Sequence, residues 1–225
     1  MPSIERDVRL IVLAASAGSA DGWSFFGLGH AFVANMTGNT VLLGLAVFQK
    51  HGDMLHPFLS LLGYGVGVAI GSRLAGRISP TGASWPKAIS RALLLEGLVL
   101  LAAEAAWIAL HLHPISWPSL TLLLPVVALA IGVQSGAMVQ LKLPGVVTTY
   151  ITGTWTTLLS SLAKRDQHVE ERLIVQTAVL VVYFLSAVLS GWLFRYQPLA
   201  VGALPATAVL VVATLGLLRK PSDTN

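Results

Sequence analysis

The feature that most limits how this chain can fold is a series of long apolar segments with few charges inside them. A helix needs about 20 predominantly apolar residues to cross the hydrocarbon core of a bilayer. With 55% apolar and only 11% charged residues, the chain also lacks the polar surface of a soluble domain, in which about 25% of residues are charged. Six segments qualify as spans: Val8–Leu28, Leu55–Ile78, Ala88–His111, Leu120–Gln140, Leu173–Phe194 and Leu199–Leu218. The sequence therefore predicts an all-α, polytopic transmembrane helical bundle that forms a single domain over residues 1–225.

Several function classes are excluded or disfavoured by what the sequence lacks. It contains no cysteine, which excludes disulfides, thiolate chemistry and Cys-ligated metals. It also lacks a phosphate-binding loop, a His-Glu-x-x-His motif and a Gly-x-Ser-x-Gly nucleophile motif. We therefore expect no catalytic residues, no metal and no cofactor. The net charge of +4 does not indicate nucleic-acid binding, because in a membrane protein positive residues mark the cytoplasmic side.

Two further segments, His30–Gln49 and Gly145–Ala163, have the length of a span but are rich in Asn, Thr, Ser and Gly. Each could be a polar span or a re-entrant segment that enters the membrane and returns. If all eight segments crossed, the fourteen Lys and Arg residues would divide almost evenly between the two sides. If only six cross and the N-terminus is cytoplasmic, every Lys and Arg except Lys50 and Arg195 lies on the cytoplasmic side. The positive-inside rule thus favours about six crossings, two broken or re-entrant segments, and both termini in the cytoplasm.

The two polar segments resemble each other, which indicates an internal repeat. The stretch Ala34–Thr40 (ANMTGNT) aligns with Thr149–Trp155 (TYITGTW) at an offset of 115 residues, and Gly18–Asp21 upstream corresponds to Gly132–Ser135. The two halves are then residues 8–112 and 119–219, each with three crossings and one broken segment. Because three is an odd number, the second half would be inserted upside down relative to the first. Inverted repeats with discontinuous helices that meet near the midplane are a recurring plan of transporters.

The motifs Gly18-x-x-Asp21, Ala31–Asn39 (AFVANMTGN) and Thr148–Thr154 (TTYITGT) together resemble the YoaK family, also described as DUF1275. The resemblance extends over essentially the whole chain. It implies a small multi-span protein of the bacterial inner membrane, and it implies no particular activity. The family tends to carry Asn after Gly-x-Gln in the second half, where this chain has Ser135.

The candidate site residues are the polar groups of the repeated segments. Broken helices that meet inside a membrane present their positive N-terminal ends to a polar or anionic solute. The alternative is that these groups only form hydrogen bonds between helices and hold the fold together. The substrate-binding candidates are Asp21, Asn35, Thr37, Gly38, Asn39, Gln134, Thr152, Gly153 and Thr154.

Ionisable residues within the spans are candidates for proton or ion coupling, because a charge at that depth is costly and is rarely kept without a function. Asp21 and Glu104 are the residues that we expect in this role. The alternative for Asp21 is a position near the outer interface, where it would cap a helix break at Gly22. For Glu96, one turn and a half beyond Arg91, a structural or pairing role is favoured.

The glycines Gly63, Gly67 and Gly71 recur every four residues in the second span. Such a ridge lets helix backbones approach closely, either within the chain or between copies of a homo-oligomer. Two functions are compatible with these observations. The first is a small secondary transporter or channel-like permease for an unidentified small solute, and the second is a non-transporting assembly or sensing partner. In both, the lipid bilayer is a partner and nucleic acid is not.

Overall fold

A computed structural model describes residues 2–49, 52–76, 85–113, 118–141, 151–164 and 170–218. Within these ranges every regular element is helical, which confirms the predicted all-α class. One 3-10 turn, Pro198–Ala200, precedes the last helix. The helices are α1 Pro2–Gly27, α2 Met36–Ala46, α3 Leu55–Ala75, α4 Lys87–Leu112, α5 Pro118–Val139, α6 Ile151–Lys164, α7 Glu170–Tyr196 and α8 Ala203–Leu218.

Five of the described helical segments are long and apolar enough to cross a membrane: α3, α4, α5, α7 and the segment Pro198–Leu218 that includes α8. Helix α1 has 26 residues and packs along α7, so it passes through the same layer and accounts for the sixth predicted span. The polar segments are different in kind, since α2 has only 11 residues and α6 has 14. At 1.5 Å per residue, neither helix spans a hydrocarbon core about 30 Å thick.

The last predicted span is interrupted near its start. The 3-10 turn at Pro198–Ala200 is followed by two non-helical residues, and α8 begins at Ala203. Pro205 lies in the first turn of α8, where the missing amide proton of proline costs no helical hydrogen bond. The amide of Gly202 donates instead to a carboxylate oxygen of Glu104 on α4, at 3.1 Å.

Helices α3 and α5 form a close parallel pair, because glycines of each helix face the backbone of the other. A methyl group on Gly132 of α5 would meet the carbonyl oxygen of Tyr64, and one on Gly136 would meet the carbonyl oxygen of Val68. The contacts advance in the same direction along both helices, so the two helices run parallel. The glycine ridge of α3 completes this interface.

Helices α1 and α7 form a second close parallel pair. A methyl group on Gly18 would meet the carbonyl oxygen of Tyr183, and one on Gly22 would lie against Ser190 and the carbonyl oxygen of Ala187. The hydroxyl of Ser190 donates to the carbonyl oxygen of Ser19 at 2.8 Å, which ties a side chain of α7 to the backbone of α1.

The predicted oligomerisation ridge is occupied within the chain. Gly63, Gly67 and Gly71 are buried, and the nearest atoms to each are the α5 carbonyl groups of Pro125, Leu129 and Val133. This ridge is therefore a packing face inside the chain and is not available to a second copy. That the protein forms a homo-oligomer stays a prediction, but these three glycines would not form its interface.

Helices α4 and α8 pack antiparallel. Gly97 of α4 lies against Leu210, whereas the start of α4, at Ser90, lies against Gly216 near the end of α8. Near the other end of α4, the ring of Trp107 meets the ring of Trp23 of α1 edge-on, with centroids 5.9 Å apart. The end of α1 and the end of α4 therefore lie at the same end of the bundle.

The segment between α1 and α3 is re-entrant. Gly29, which follows α1, lies against the ring of His56 at the start of α3, so the segment begins and ends at the same end of the bundle. Between these points the amides of Val33 and Ala34 reach the side chain of Asp21, two turns back inside α1. The chain therefore enters the bundle after α1 and returns through α2.

The directions of the spans make the second polar segment re-entrant as well. Since α1 and α3 run in opposite directions, their parallel partners α7 and α5 also run in opposite directions. The end of α5 and the start of α7 thus lie at the same end of the bundle, and the segment between them returns to where it began. Its helix α6 packs on α7. The motif residues Thr148, Thr149 and Tyr150 lie outside the described residues.

Candidate binding cavity

Asp21 fixes the tip of the first re-entrant segment. Its Oδ1 accepts hydrogen bonds from the amides of Val33, at 2.7 Å, and Ala34, at 2.6 Å, and its Oδ2 accepts one from the hydroxyl of Tyr183. The side chain is buried, with 4% exposure. The interpretation of Asp21 as the cap of a break at Gly22 is wrong, because α1 continues to Gly27. The cost of placing a carboxyl group inside the bundle is offset by these three donors.

Asn39 holds the same tip from the other side. Its Oδ1 accepts from the amide of Phe32 at 2.9 Å, and its Nδ2 donates to the carbonyl oxygen of Phe32 at 2.6 Å and to the hydroxyl of Ser60 at 3.0 Å. Asn39 is fully buried. Irregular backbone inside a membrane must be satisfied by protein groups or by a water-filled cavity, and Asn39 supplies part of that satisfaction.

Asn35 caps α2 and leaves the next residues open to the surroundings. Its Oδ1 accepts from the amide of Gly38 at 3.0 Å, which is the interaction expected of an N-cap asparagine. The side chains of Asn35 and Thr37 are exposed and border a cavity.

The cavity has a volume of about 450 Å³ and lies where the two re-entrant segments approach each other. The first segment contributes its tip and the start of α2, and the second contributes the first two residues of α6. Helices α3, α5 and α7 supply the remaining wall. The lining residues are Ala34, Asn35, Met36, Thr37, Tyr64, Ser135, Val139, Ile151, Thr152 and Tyr183. Its volume lies within the range of small-molecule sites.

The comparisons with known proteins identify the family of this chain. The family model described as "Protein of unknown function (DUF1275)" matches residues 9–216. The chain belongs to the DUF1275 family. It is also 32% identical over 166 residues to UPF0700 transmembrane protein YoaK of Bacillus subtilis (strain 168). The aligned region covers 71% of this chain and 68% of that protein. No solved structure matches the chain.

The structure of this DUF1275 protein divides the predicted site residues into two groups. Asn35, Thr37 and Thr152 line the cavity, and Asp21 reaches its wall through Tyr183. Gln134 is fully buried in α5, where its Nε2 donates to the carbonyl oxygen of Leu13 at 3.2 Å. The predicted residues that do not line the cavity are Gly38, Asn39, Gln134, Gly153 and Thr154.

The two glutamates of α4 lie away from the cavity lining. Glu104 is 6% exposed, and one of its carboxyl oxygens accepts from Gly202. Glu96 is fully buried, and neither of its oxygens is hydrogen-bonded to a described residue. Glu96 therefore does not pair with Arg91, and the structural role, which was the other alternative for this residue, stays a prediction. Five residues along a helix correspond to a rotation of about 140°, so Glu96 points inward while Arg91 is exposed.

The sequence-based prediction missed three polar lining residues, namely Tyr64, Ser135 and Tyr183. The signal that could have found the tyrosines is their place in the helices that follow the two polar segments. Both tyrosines also take part in the close helix pairs. The carbonyl oxygen of Tyr64 lies against Gly132 in the α3–α5 pair, and that of Tyr183 lies against Gly18 in the α1–α7 pair. In an apolar helix a tyrosine is easily taken for a packing residue, which is why the pattern alone did not single it out.

Proposed function

We propose that this DUF1275 protein is a small secondary transporter or channel-like permease, with its solute site in the cavity between the two re-entrant segments. The observation that supports this most strongly is that residues from both re-entrant tips, Asn35 and Thr37 from one and Thr152 from the other, line one cavity. Non-helical backbone inside a membrane is tolerated where it is buried in protein or borders a water-filled space. In transporters, such discontinuous helices form the solute site.

The helix pairing supports an inverted repeat as the framework of this function. In the repeat, α1 corresponds to α5 and α3 corresponds to α7. The parallel pair α1–α7 then corresponds to the parallel pair α5–α3, and the antiparallel pair α4–α8 corresponds to itself. These three pairs have the most extensive contacts among the described helices. In such a framework the cavity lies between two similar halves, and rocking of one half against the other would expose it to each side of the membrane in turn.

The individual contacts follow the same correspondence. Gly18 and Gly132 are equivalent by the alignment of the two halves. Gly18 faces the carbonyl oxygen of Tyr183, and Gly132 faces that of Tyr64. Asp21, which accepts from the hydroxyl of Tyr183, is equivalent to Ser135, which lines the cavity together with Tyr64. The two halves thus differ at this position by one carboxyl group.

Proton or ion coupling by Asp21 and Glu104 stays part of the proposal. Asp21 is connected to the cavity by its bond with Tyr183, so a change in its protonation would release a lining side chain. Glu104 contacts the turn before α8 through Gly202, and its coupling role would require movement of α8. This role is tested by measuring solute uptake into proteoliposomes under an imposed proton gradient, for the parent protein and for Glu104→Gln. A coupling residue is required for gradient-driven uptake and not for downhill exchange, so only the former should be lost.

The test of the function itself is solute flux into proteoliposomes that contain the purified protein. The probes are sorbitol, gluconate and protonated glucosamine, which share a polyhydroxylated skeleton and differ in charge. We expect protein-dependent uptake of at least one probe, and we expect that uptake to be lost in the double variant Thr37→Val, Thr152→Val. Thr214→Val is the matched control, because Thr214 is exposed on α8 and does not line the cavity. Absence of protein-dependent uptake of all three probes by a monodisperse protein would refute the permease.

In the proposed orientation, the protein lies in the bacterial inner membrane with both termini on the cytoplasmic side. Since the chain has no native cysteine, single-cysteine variants report topology without background. Gln49, between α2 and α3, and Lys87, at the start of α4, are both exposed and lie at opposite ends of the bundle. A membrane-impermeant maleimide applied to intact cells should label Gln49→Cys and leave Lys87→Cys unlabelled. The reverse pattern would place the termini outside.

A further inference from the structure

We infer that the cavity selects a small uncharged solute that carries several hydroxyl groups, such as a sugar alcohol, over ions of either sign. This inference rests on the proposed transport function and adds the chemical class of the solute. It is carried by the chemistry of the lining residues and by the hydrogen bonds that already occupy the charged and polar groups behind them.

A cation would find no counter-charge among the described residues that line the cavity. The described residues that line it include no Asp, Glu, Lys, Arg or His. The carboxyl group of Asp21 is connected to the wall, but its Oδ1 is occupied by the amides of Val33 and Ala34 and its Oδ2 by the hydroxyl of Tyr183. A charge taken from water without a partner carries a large desolvation cost, so the site disfavours cations.

An anion would find two of the amides at the start of α2 already engaged. The amide of Gly38 donates to Oδ1 of Asn35 at 3.0 Å, and the amide of Met36 donates to the carbonyl oxygen of Ala34 at 3.2 Å. An anion site at a helix start depends on free amides and on the positive end of the helix dipole. Here the amides of Met36 and Gly38 are engaged within the protein. The carboxyl group of Asp21, which accepts from the preceding amides of Val33 and Ala34, offsets the positive end of the dipole.

An uncharged polyol matches the polar groups of the described lining. Six of the lining side chains carry a hydroxyl or amide group, and the other four are apolar. A hydroxyl both donates and accepts a hydrogen bond, as does a side-chain amide, so these groups can pair with the hydroxyls of a polyol without a net charge. The six polar lining residues are Asn35, Thr37, Tyr64, Ser135, Thr152 and Tyr183.

The two tyrosines come from the two halves of the chain. Tyr64 belongs to α3 and Tyr183 to the corresponding helix α7, and both line the cavity. Tyrosine offers an apolar ring face to the C–H groups of a solute and a hydroxyl to its oxygens, which is the combination typical of sites with one apolar and one polar side. Because the hydroxyl of Tyr183 already donates to Asp21, its oxygen remains as an acceptor toward the cavity.

The experiment compares initial uptake rates of sorbitol, gluconate and protonated glucosamine into proteoliposomes at equal concentration and with the membrane potential clamped at zero. We expect sorbitol to enter at least tenfold faster than either ion. Faster entry of gluconate or glucosamine would overturn the inference while leaving the proposed transport function intact. Absence of uptake of all three would overturn the transport function, and the inference with it.

A matched pair of variants assigns the selectivity to this cavity. Tyr64→Phe removes one hydroxyl from the wall and should lower sorbitol uptake below saturation by about tenfold, the effect of one lost hydrogen bond in the bound state. Tyr196→Phe is the control, because Tyr196 is exposed at the end of α7 and should leave uptake unchanged. Thr152→Val serves as a second variant if Tyr64→Phe does not elute as a monodisperse protein. Sorbitol uptake that is unaffected by both cavity variants would refute the assignment.

Discussion

Removal of the Asp21 side chain should release the tip of the first re-entrant segment. In Asp21→Ala the buried amides of Val33 and Ala34 lose their only described acceptor, and Tyr183 loses its partner. A hydrogen bond to a charged group stabilises the folded state by about 1.5–3 kcal/mol. At the lower figure the two amide bonds together contribute about 3 kcal/mol to the closed tip. A loss of that size increases the population of the open tip by roughly 150-fold, at 1.36 kcal/mol for each factor of ten.

Cysteine accessibility converts this difference into a rate. Ala34 is 4% exposed, and Ala34→Cys in the cysteine-free chain should react with a small maleimide only when the tip opens. In detergent, we expect the Asp21→Ala background to increase the labelling rate by roughly two orders of magnitude. Asp21→Asn should increase it by less than about tenfold, since the amide oxygen can still accept from both backbone amides.

A control probe separates local opening from general unfolding. Ala213 is fully buried in α8, far along the chain from the tip, and Ala213→Cys should label at the same slow rate in both backgrounds. An equal labelling rate of Ala34→Cys with and without the Asp21 side chain would refute the conclusion that Asp21 anchors the tip. If Ala213→Cys were accelerated to the same extent, the loss would be global and the anchor would not be specific to the re-entrant segment.

Three further substitutions test the packing that supports the site. Gly67→Ala should lower the apparent melting temperature in detergent by an amount equivalent to about 1–3 kcal/mol, because the added methyl group meets the backbone of α5. Gly65→Ala is the control and should be neutral, because nothing lies within 4 Å of its added carbon. Glu104→Leu should cost about 1–3 kcal/mol of stability by leaving the Gly202 amide without an acceptor, and Glu104→Gln should retain most of the stability; equal melting temperatures for the two variants would contradict the role of that bond. Asn39→Leu should destabilise the protein by at least about 2 kcal/mol, since three hydrogen bonds of the side chain are lost, and a melting temperature equal to that of the parent would count against it.

The asymmetry between the two halves matters for how the proposed transport would work. In the proposed repeat, Asp21 of the first half corresponds to Ser135 of the second, so only the first half would carry a carboxyl group at this position. If the two halves exchange conformations during transport, the conformations open to the two sides of the membrane then differ in free energy. Their relative populations depend on what the carboxyl group of Asp21 contacts in each conformation. The bond between Asp21 and Tyr183 is therefore the contact in this structure that a proton or a solute would be expected to alter.

The sequence by itself determined the class of the protein and the order of its spans. The length and apolarity of the segments dictate helices in a bilayer, because unsatisfied backbone groups are too costly there for any open structure. The distribution of positive residues then favoured re-entry of the two polar segments over full crossing, and the short lengths of α2 and α6 agree with it. These conclusions follow from local composition, so no tertiary contact was needed to reach them.

The assignment of residues to the cavity was decided only by the tertiary structure. Asn35 and Asn39 lie four residues apart in the same motif, yet Asn35 borders the cavity and Asn39 is buried against Phe32 and Ser60. Tyr64 reaches the cavity from an apolar helix whose sequence indicates only packing. The glycine ridge could have faced lipid, another copy or another helix of the chain, and the structure places α5 on it. In each case, which side chains face the cavity or a neighbouring helix depends on how a helix is rotated against helices that are distant in sequence. This rotation cannot be read from the residue pattern of one segment.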